Sequence, residues 1–294
     1  VADDPSMHSS QNEQDSRFFG KFAQIPVFEP SNQQEAYDMA FDAFNLSEKY
    51  RVPVMLRITT RLAHSRSGVN LREKRIANEL KLPQNLKQFI LLPAIARKSY
   101  KNLLGTQDAF EKEAAKSSFN IYTDGGDTSM GVIACGLAYN YYVENKNKYK
   151  LDYPILKISQ YPVPQDLMTK MADSCKKLIV LEEGYPVIEE SLRGFFNKPY
   201  TILGRLDGTL PRDGELNPNI VAKALGIKED YCDDLPEIIA NRPPALCKGC
   251  SHADMYYALN EAIDSFGRGR VFSDIGCYTL GALPPFNSIN SCVD

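Results

Sequence analysis

From Ser31 to Tyr50 apolar side chains return every three or four residues, at Ala36, Met39, Ala40, Ala43 and Phe44, with Ser47 completing the stripe. That period predicts a helix with one buried face, and Ser31 after Pro30 is placed to cap it. The branched run Val52–Thr60 predicts a strand directly afterwards. Upstream, the opening residues Val1–Pro5 read as the end of a strand that enters a long polar run, Asp3–Arg17. The pattern weakens between Gly68 and Gly105, where basic clusters (Arg72, Lys74, Arg75; Lys98, Lys101) suit a connector with one or two short helices.

From Phe119 short apolar runs alternate with helical periods. Strands are predicted at Met130–Gly136, Pro154–Ser159, Lys177–Glu183 and Tyr200–Leu206, with helices at Leu137–Tyr149, Pro164–Cys175 and Pro186–Phe196 between them. Such an order predicts right-handed βαβ units, hence an α/β fold with a doubly wound parallel sheet over about residues 118–228. An acidic linker, Glu229–Glu237, leads to a helix at Ala253–Phe266 and a strand at Arg270–Cys277, the opening of a further α/β domain.

A length of 294 residues suits two or three domains. The formal charge of −3 offers no general basic field, which argues against a nucleic-acid partner. No apolar run approaches the roughly 18–20 residues that span a bilayer. Seven cysteines, with a cluster near the end, suggest reduced thiols kept for metal or chemistry, and with them a cytoplasmic setting. The first and last residues read as cuts within a longer polypeptide, whose incomplete domains would expose apolar strand edges and favour an oligomer.

The chemistry concentrates in two places. Cys247 and Cys250 form a C-x-x-C pair, and Cys277 follows after 26 residues at the end of the predicted strand, where open α/β sheets place ligands. Cys250 also precedes a helix whose amides would favour a thiolate. An iron–sulfur cluster, or a zinc ion with His252 or Cys292 as fourth ligand, or no metal at all, are each compatible with that spacing. Asp274, Gly276 and Gly281 lie on the turn around Cys277, and such glycines let amides approach a phosphate. The polar run Asp3–Arg17 is either a solvated loop or a binding loop at a strand's end. Glu182 and Glu183 also end a strand, where paired carboxylates are expected in solvent.

Five stretches taken together, "ADDPSMHSSQNEQDSR", "PVMLRITTR", "LEEGYPVIEE", "RPPALCKGCSH" and "DIGCYTLGALPPF", give the chain its resemblance to the large (alpha) subunits of indolepyruvate ferredoxin oxidoreductases. These belong to the thiamine diphosphate-dependent 2-oxoacid:ferredoxin oxidoreductases. The resemblance implies a layout: the later part of a pyrimidine-binding domain (1–75), a connector (76–117), a transketolase C-terminal-like α/β domain (118–228), a linker (229–241) and the start of a diphosphate-binding domain (242–294). The two thiamine diphosphate-binding-type domains that flank the doubly wound sheet would both be incomplete.

It further implies oxidative decarboxylation of an arylpyruvate with coenzyme A, giving an arylacetyl-CoA, carbon dioxide and reduced ferredoxin. A smaller beta subunit would complete the complex. Thiamine diphosphate, magnesium and a 4Fe-4S cluster would be the cofactors, with Cys247, Cys250 and Cys277 as cluster ligands. Gly249, His252, Asp274 and Gly276 would surround the diphosphate or thiazolium, and Ser9, Ser10 and Gln11 would face the cofactor from the pyrimidine side. The G-D-G…N motif that holds magnesium-diphosphate does not occur in this sequence. The activating glutamate would lie upstream, so the segment alone is expected to be inactive. Two rival readings are a thiamine-dependent decarboxylase or transketolase-like enzyme without electron transfer, and a zinc-stapled interaction module.

Overall fold

The computed structural model describes residues 1–74, 76, 77, 79, 93–193, 201–211, 214–227, 245–267, 269–274 and 276–289. Two compact units are present, Val1–Asp230 and Tyr231–Asp294. The first opens with β1 (Ala2–Asp3), α1 (Arg17–Ala23), β2 (Val27–Phe28), α2 (Gln33–Tyr50), β3 (Met55–Leu56), β4 (Ile58–Thr59) and α3 (Thr60–His64). Then come α4 (Pro93–Gly105), α5 (Gln107–Ala115), β5 (Ile121–Thr123), β6 (Gly131–Cys135), α6 (Ala138–Tyr149), β7 (Ile155–Ile158) and β8 (Gln160–Tyr161). It closes with α7 (Gln165–Ser174), β9 (Lys177–Leu181), α8 (Val187–Arg193), β10 (Thr201–Leu203) and α9 (Pro218–Ala224).

The main sheet has the order β10-β9-β6-β7-β5, parallel except for the edge strand β5. Period-two alternation divides its strands between two apolar layers. Ile133, Leu156, Ile158, Leu178 and Val180 face α7 and α8 through Met168, Met171, Ile188 and Leu192. Val132, Ala134, Ile155, Ile179 and Leu181 face α6 and α9 through Ala138, Tyr142 and Val221. The doubly wound sheet expected from the sequence is therefore the core of the first unit.

The N-terminal segment is joined to this core by backbone pairing. β2 lies parallel to β3 and antiparallel to β8, so one strand of the small sheet belongs to the segment that follows β7. The predicted strand Val52–Thr60 is broken into β3 and β4, which enter different sheets, β4 pairing with β1. Arg57, between them, is wholly buried, and its side chain explains the break below.

In α2 the cap is Asn32, whose side chain accepts from the Glu35 amide at 2.9 Å, while the expected cap Ser31 instead donates its amide and hydroxyl to the Glu35 carboxylate. Glu35 also holds Lys157, the charged residue that interrupts the apolar alternation of β7. Met39 and Leu46 are buried against Phe28 and Phe119, but Phe44 is exposed, so the buried stripe is narrower than its period suggests.

The second unit has α10 (Ser251–Phe266) followed by the short 3-10 turn Cys277–Ala282. The strand expected at Arg270–Cys277 is reduced, among the described residues, to a single bridge at Ser273. Instead the Tyr256 hydroxyl donates to the Tyr278 carbonyl at 2.6 Å and lies 3.2 Å from the Ser273 hydroxyl, holding this stretch against α10. The expected linker 229–241 lies outside the described residues, as does Cys292.

Ile133 is fully buried between β6 and its helical cover, and truncating it leaves a cavity. Ile133→Ala is expected to cost about 2–4 kcal/mol in urea unfolding of the chain.

Candidate functional site

In the main sheet the chain goes from β6 to β7 on one side, then crosses back to β9 on the other. Open α/β sheets bind ligands outside the carboxyl ends of the strands where the order reverses this way. Here that crevice lies between β6, which is followed by Gly136, and β9, which runs into Glu182, Glu183 and Gly184. Side chains from the N-terminal segment fill it.

Arg57 donates Nε to Asp3 Oδ2 and Nη1 to Glu29 Oε1, both at 2.5 Å, and Nη2 to the Glu183 carbonyl at 3.3 Å. Arg17, where the polar run meets α1, donates to both Asp15 oxygens and, through Nη1, to Glu182 Oε2 at 2.8 Å. Its Nη2 reaches the carbonyls of Glu183 at 3.0 Å and Tyr185 at 2.8 Å. Glu182 also accepts the first amides of α8, from Ile188 and Glu189, each at 3.1 Å. The Tyr161 hydroxyl of β8 donates to Glu29 at 2.7 Å. The expectation of solvated carboxylates at Glu182 and Glu183 is overturned: each is 1% exposed. Their burial follows from two arginines 40 residues apart, a pairing that no local period reveals.

Two glycines make room for this network. A Cβ at Gly184, where φ is +88°, would sit 2.7 Å from Asp15 Oδ2, and one at Gly136, where φ is +48°, would sit 2.5 Å from Glu29 Cγ. Both residues lie just beyond the strands that flank the crevice, so each strand exit is shaped around a carboxylate carried by the N-terminal segment.

Electrostatics separates the carboxylates. Burial would raise the Asp15 carboxyl, but Arg17 and Arg57 hold it below its ordinary value. For Glu182 burial prevails over Arg17 and the two amides, and its pKa is raised. Glu183 is pushed up to about 7, by burial first and by the nearby Glu215 charge second. Neither Glu183 oxygen makes a hydrogen bond; the Tyr141 hydroxyl, buried and also without a partner, is close enough to favour the ionised form but closes no bond of normal geometry. Arg61 lies over the Tyr141 ring at 5.4 Å and pairs with Glu215 at 2.7 Å, which also meets exposed His8 at 3.2 Å.

The expected cofactor-facing residues of the polar run lie beside this cluster in the chain. Asp4 accepts the amides of Ser9 at 2.7 Å and Ser10 at 2.9 Å, with the Thr60 hydroxyl at 2.6 Å. Burial opposes the Asp4 charge, but these hydrogen bonds hold its carboxyl well below the usual range. The Ser10 hydroxyl is used on the Asn12 carbonyl and the Ser9 hydroxyl donates to Asp4 at 3.4 Å, while Ser9 and Gln11 are exposed. The run is thus an organised loop anchored at Asp3, Asp4 and Asp15.

In the second unit Cys247 and Cys250 close a turn, the Cys250 amide donating to the Cys247 carbonyl at 3.0 Å. Gly249 supplies the required φ of +75°. Cys250 Sγ lies 3.2 Å from His252 Nδ1, and the His252 ring meets Tyr278 edge-on at 4.5 Å. Gly276, with φ of +96°, precedes exposed Cys277, and Asp274 is exposed. The structure therefore brings Cys250 and His252 into contact and packs the residue after Cys277 on the same imidazole. No group of three or more metal-capable side chains gathers among the described residues. Among the described residues no helix is long and apolar enough to cross a membrane.

Residues 4–108 match the family described as pyruvate flavodoxin/ferredoxin oxidoreductase, thiamine diphosphate-binding. The indolepyruvate oxidoreductase subunit IorA of Archaeoglobus fulgidus is 39% identical over 307 residues, covering 99% of this chain and 48% of that protein. Its counterpart in Pyrococcus abyssi is 38% identical over 316 residues, covering 100% of this chain and 48% of that protein. Among solved structures, a 2-oxoglutarate:ferredoxin oxidoreductase from Magnetococcus marinus overlays with a TM-score of 0.48 at 15% identity, covering 69% of this chain and 42% of that one. The matched segment and these relatives make this an α/β chain of the thiamine diphosphate-binding 2-oxoacid oxidoreductase class. More particularly, the chain belongs to the family of indolepyruvate oxidoreductase IorA subunits, and it spans about half the length of the curated relatives it matches.

Two outcomes follow from the crevice. Gly184→Ala places a Cβ against Asp15 at a positive φ and is expected to cost about 2–4 kcal/mol in urea unfolding. Because the folded state holds the Glu183 proton up to about pH 7, its contribution is complete below the unfolded carboxyl pKa and is lost as pH rises through 7. Glu183→Gln should therefore be more stable than the parent chain by about 2–3 kcal/mol at pH 8 and equal to it near pH 4. An equal difference at both pH values would contradict the assignment.

Proposed function

We propose that the whole protein to which this chain corresponds is a thiamine diphosphate-dependent oxidoreductase that converts an arylpyruvate such as indolepyruvate, with coenzyme A, to an arylacetyl-CoA and carbon dioxide. Ferredoxin would take the electrons and a smaller beta subunit would complete the complex. One observation carries this reading: the likeness to IorA subunits runs along 98–100% of the chain rather than through an isolated motif.

When bound, thiamine diphosphate would supply a thiazolium carbanion that attacks the 2-oxo carbon and accepts the electrons left by carbon dioxide. The chain's own part is to build walls. Asp4 fixes the loop that carries Ser9, Ser10 and Gln11, leaving Ser9 and Gln11 open to a ligand on the pyrimidine side. Gly249 and Gly276 adopt backbone that only glycine takes easily, and a Cβ at either would meet nothing within 4 Å, so their faces are open to a diphosphate. His252 and Asp274 would flank the same group, with magnesium bound by residues other than these. Among the described residues no group of three or more metal-capable side chains gathers, and no electron-transfer step is placed on Cys247, Cys250 or Cys277. A cytoplasmic setting and an oligomeric assembly belong to the same proposal.

Turnover of indolepyruvate by the full-length complex, purified without oxygen, tests the reading. Indoleacetyl-CoA with reduced ferredoxin is the expected outcome; an aldehyde product without electron transfer would establish the decarboxylase alternative. Iron and sulfide analysis of the same sample is expected to find both, whereas one zinc and no iron would favour the stapled module. The 294-residue chain, which has no G-D-G…N motif, is expected to show no submicromolar binding of thiamine diphosphate and magnesium by calorimetry.

A further inference from the structure

We propose that a cavity in the first unit, between α1, α5, α7 and α8, binds a neutral, planar aromatic molecule of one or two rings that carries a ring N–H. The cavity includes neither the tip of the polar loop nor the cysteine turn, and the proposal does not rest on the thiamine chemistry. Its volume is about 290 Å³. Val27, Phe110, Met168, Ile188 and Leu192 form buried walls, while Lys21, Gln165 and Ser191 also line it and are exposed. An apolar interior is thus reached through a rim open to solvent.

The space sets the occupant's size and shape. Close-packed interiors seldom leave a void larger than a water molecule, and an apolar cavity of about 150 Å³ already takes up benzene. Roughly twice that volume suits two fused rings, with the Phe110 ring and the Met168 sulfur as favourable neighbours for an aromatic face or edge. The chain does not fill the space with rings of the adjoining helix: Phe19 and Phe22 of α1 are 66% and 89% exposed.

The surrounding polar groups set its charge and its one hydrogen bond. Arg17, the buried cation on the wall, is already paired with Asp15 and Glu182, so a carboxylate carried inside would meet no uncommitted buried charge there. Gln24 also lines the cavity, and its side-chain oxygen is buried with no hydrogen-bond partner among the described residues. A buried acceptor left unmade is destabilising, and a ring N–H satisfies it. The neighbouring carboxamide does not, because Gln107 Nε2 is committed to the carbonyls of Gln24 and Leu103 at 3.1 and 3.0 Å. Gln24 and Val27 belong to the N-terminal segment, whereas Met168 and Ile188 lie on helices that cover the doubly wound sheet. An occupant therefore touches both and favours their packing.

The test is a titration of the 294-residue chain with indole, whose fluorescence is read directly because the sequence has no tryptophan. Saturable binding with a Kd of about 100 µM is expected, together with a rise of about 2–4 °C in the unfolding midpoint at tenfold excess over Kd. Benzofuran, of the same shape but without the N–H, should displace indole with roughly fivefold weaker affinity, and Gln24→Met should bring the two to equal affinity. Val163→Phe and Ser191→Phe put a ring at the cavity from different segments, and each should abolish indole binding, whereas Phe22→Ser on the exposed face of α1 should leave it unchanged. The proposal is overturned by no saturation up to about 5 mM indole, by binding that survives in both filled variants while they remain folded, by equal affinities of indole and benzofuran for the parent chain, or by indole-3-acetate binding more tightly than indole.

Discussion

The first unit depends on the pairing of Arg17 and Arg57 with the carboxylates at the exit of β9 and in the N-terminal segment. Both guanidiniums are essentially excluded from water, as are Asp15, Glu29 and Glu182. Buried charges are expensive to desolvate, and replacing an intact pair by apolar groups is often tolerated, but stranding one partner is not. The network is therefore better understood as a specifier than as a source of net stability. It makes one docking of the N-terminal segment on the doubly wound sheet far better satisfied than any other. Gly136 and Gly184 serve the same end by letting Glu29 and Asp15 approach the two strand exits.

That view changes the meaning of the sheet's ligand crevice. In this chain the space beyond β6 and β9 is taken by arginine side chains from the preceding segment, so it is a junction between segments. The polar loop anchored by Asp3, Asp4 and Asp15 starts from this junction, and its exposed Ser9 and Gln11 inherit their position from it. The loop is held by buried charges at both ends, Asp3 and Asp15, and exposed at its tip.

Much of the doubly wound core was legible because strand and helix periods differ and the apolar runs are long enough to show them. Val132 and Ile133 fall on opposite faces as alternation requires. The N-terminal segment was less legible. β2 and β8 have two residues each, too few to display a period, and Val52–Thr60 reads as one strand because Arg57 looks like an outward polar position until Glu29 and Asp3 are seen around it. The burial of Glu182 and Glu183 was invisible for the same reason: it is fixed by partners more than 120 residues away. In the second unit the cysteine pair and its helix were evident from spacing, but the expected strand before Cys277 is reduced to a bridge at Ser273 among the described residues, since pairing depends on a neighbour that periodicity does not provide. The contact between Cys250 and His252 could have been suspected from their closeness in sequence.

The most direct measurement of the central claim is a double-mutant cycle between Arg57 and Glu29, using Arg57→Met, Glu29→Gln and the pair in urea unfolding. If the buried network specifies the junction, each single change costs about 3–5 kcal/mol by stranding its partner, and the double variant costs clearly less than the two together. Additive losses would show that the two residues do not act as a pair, and the account of the junction would then be wrong.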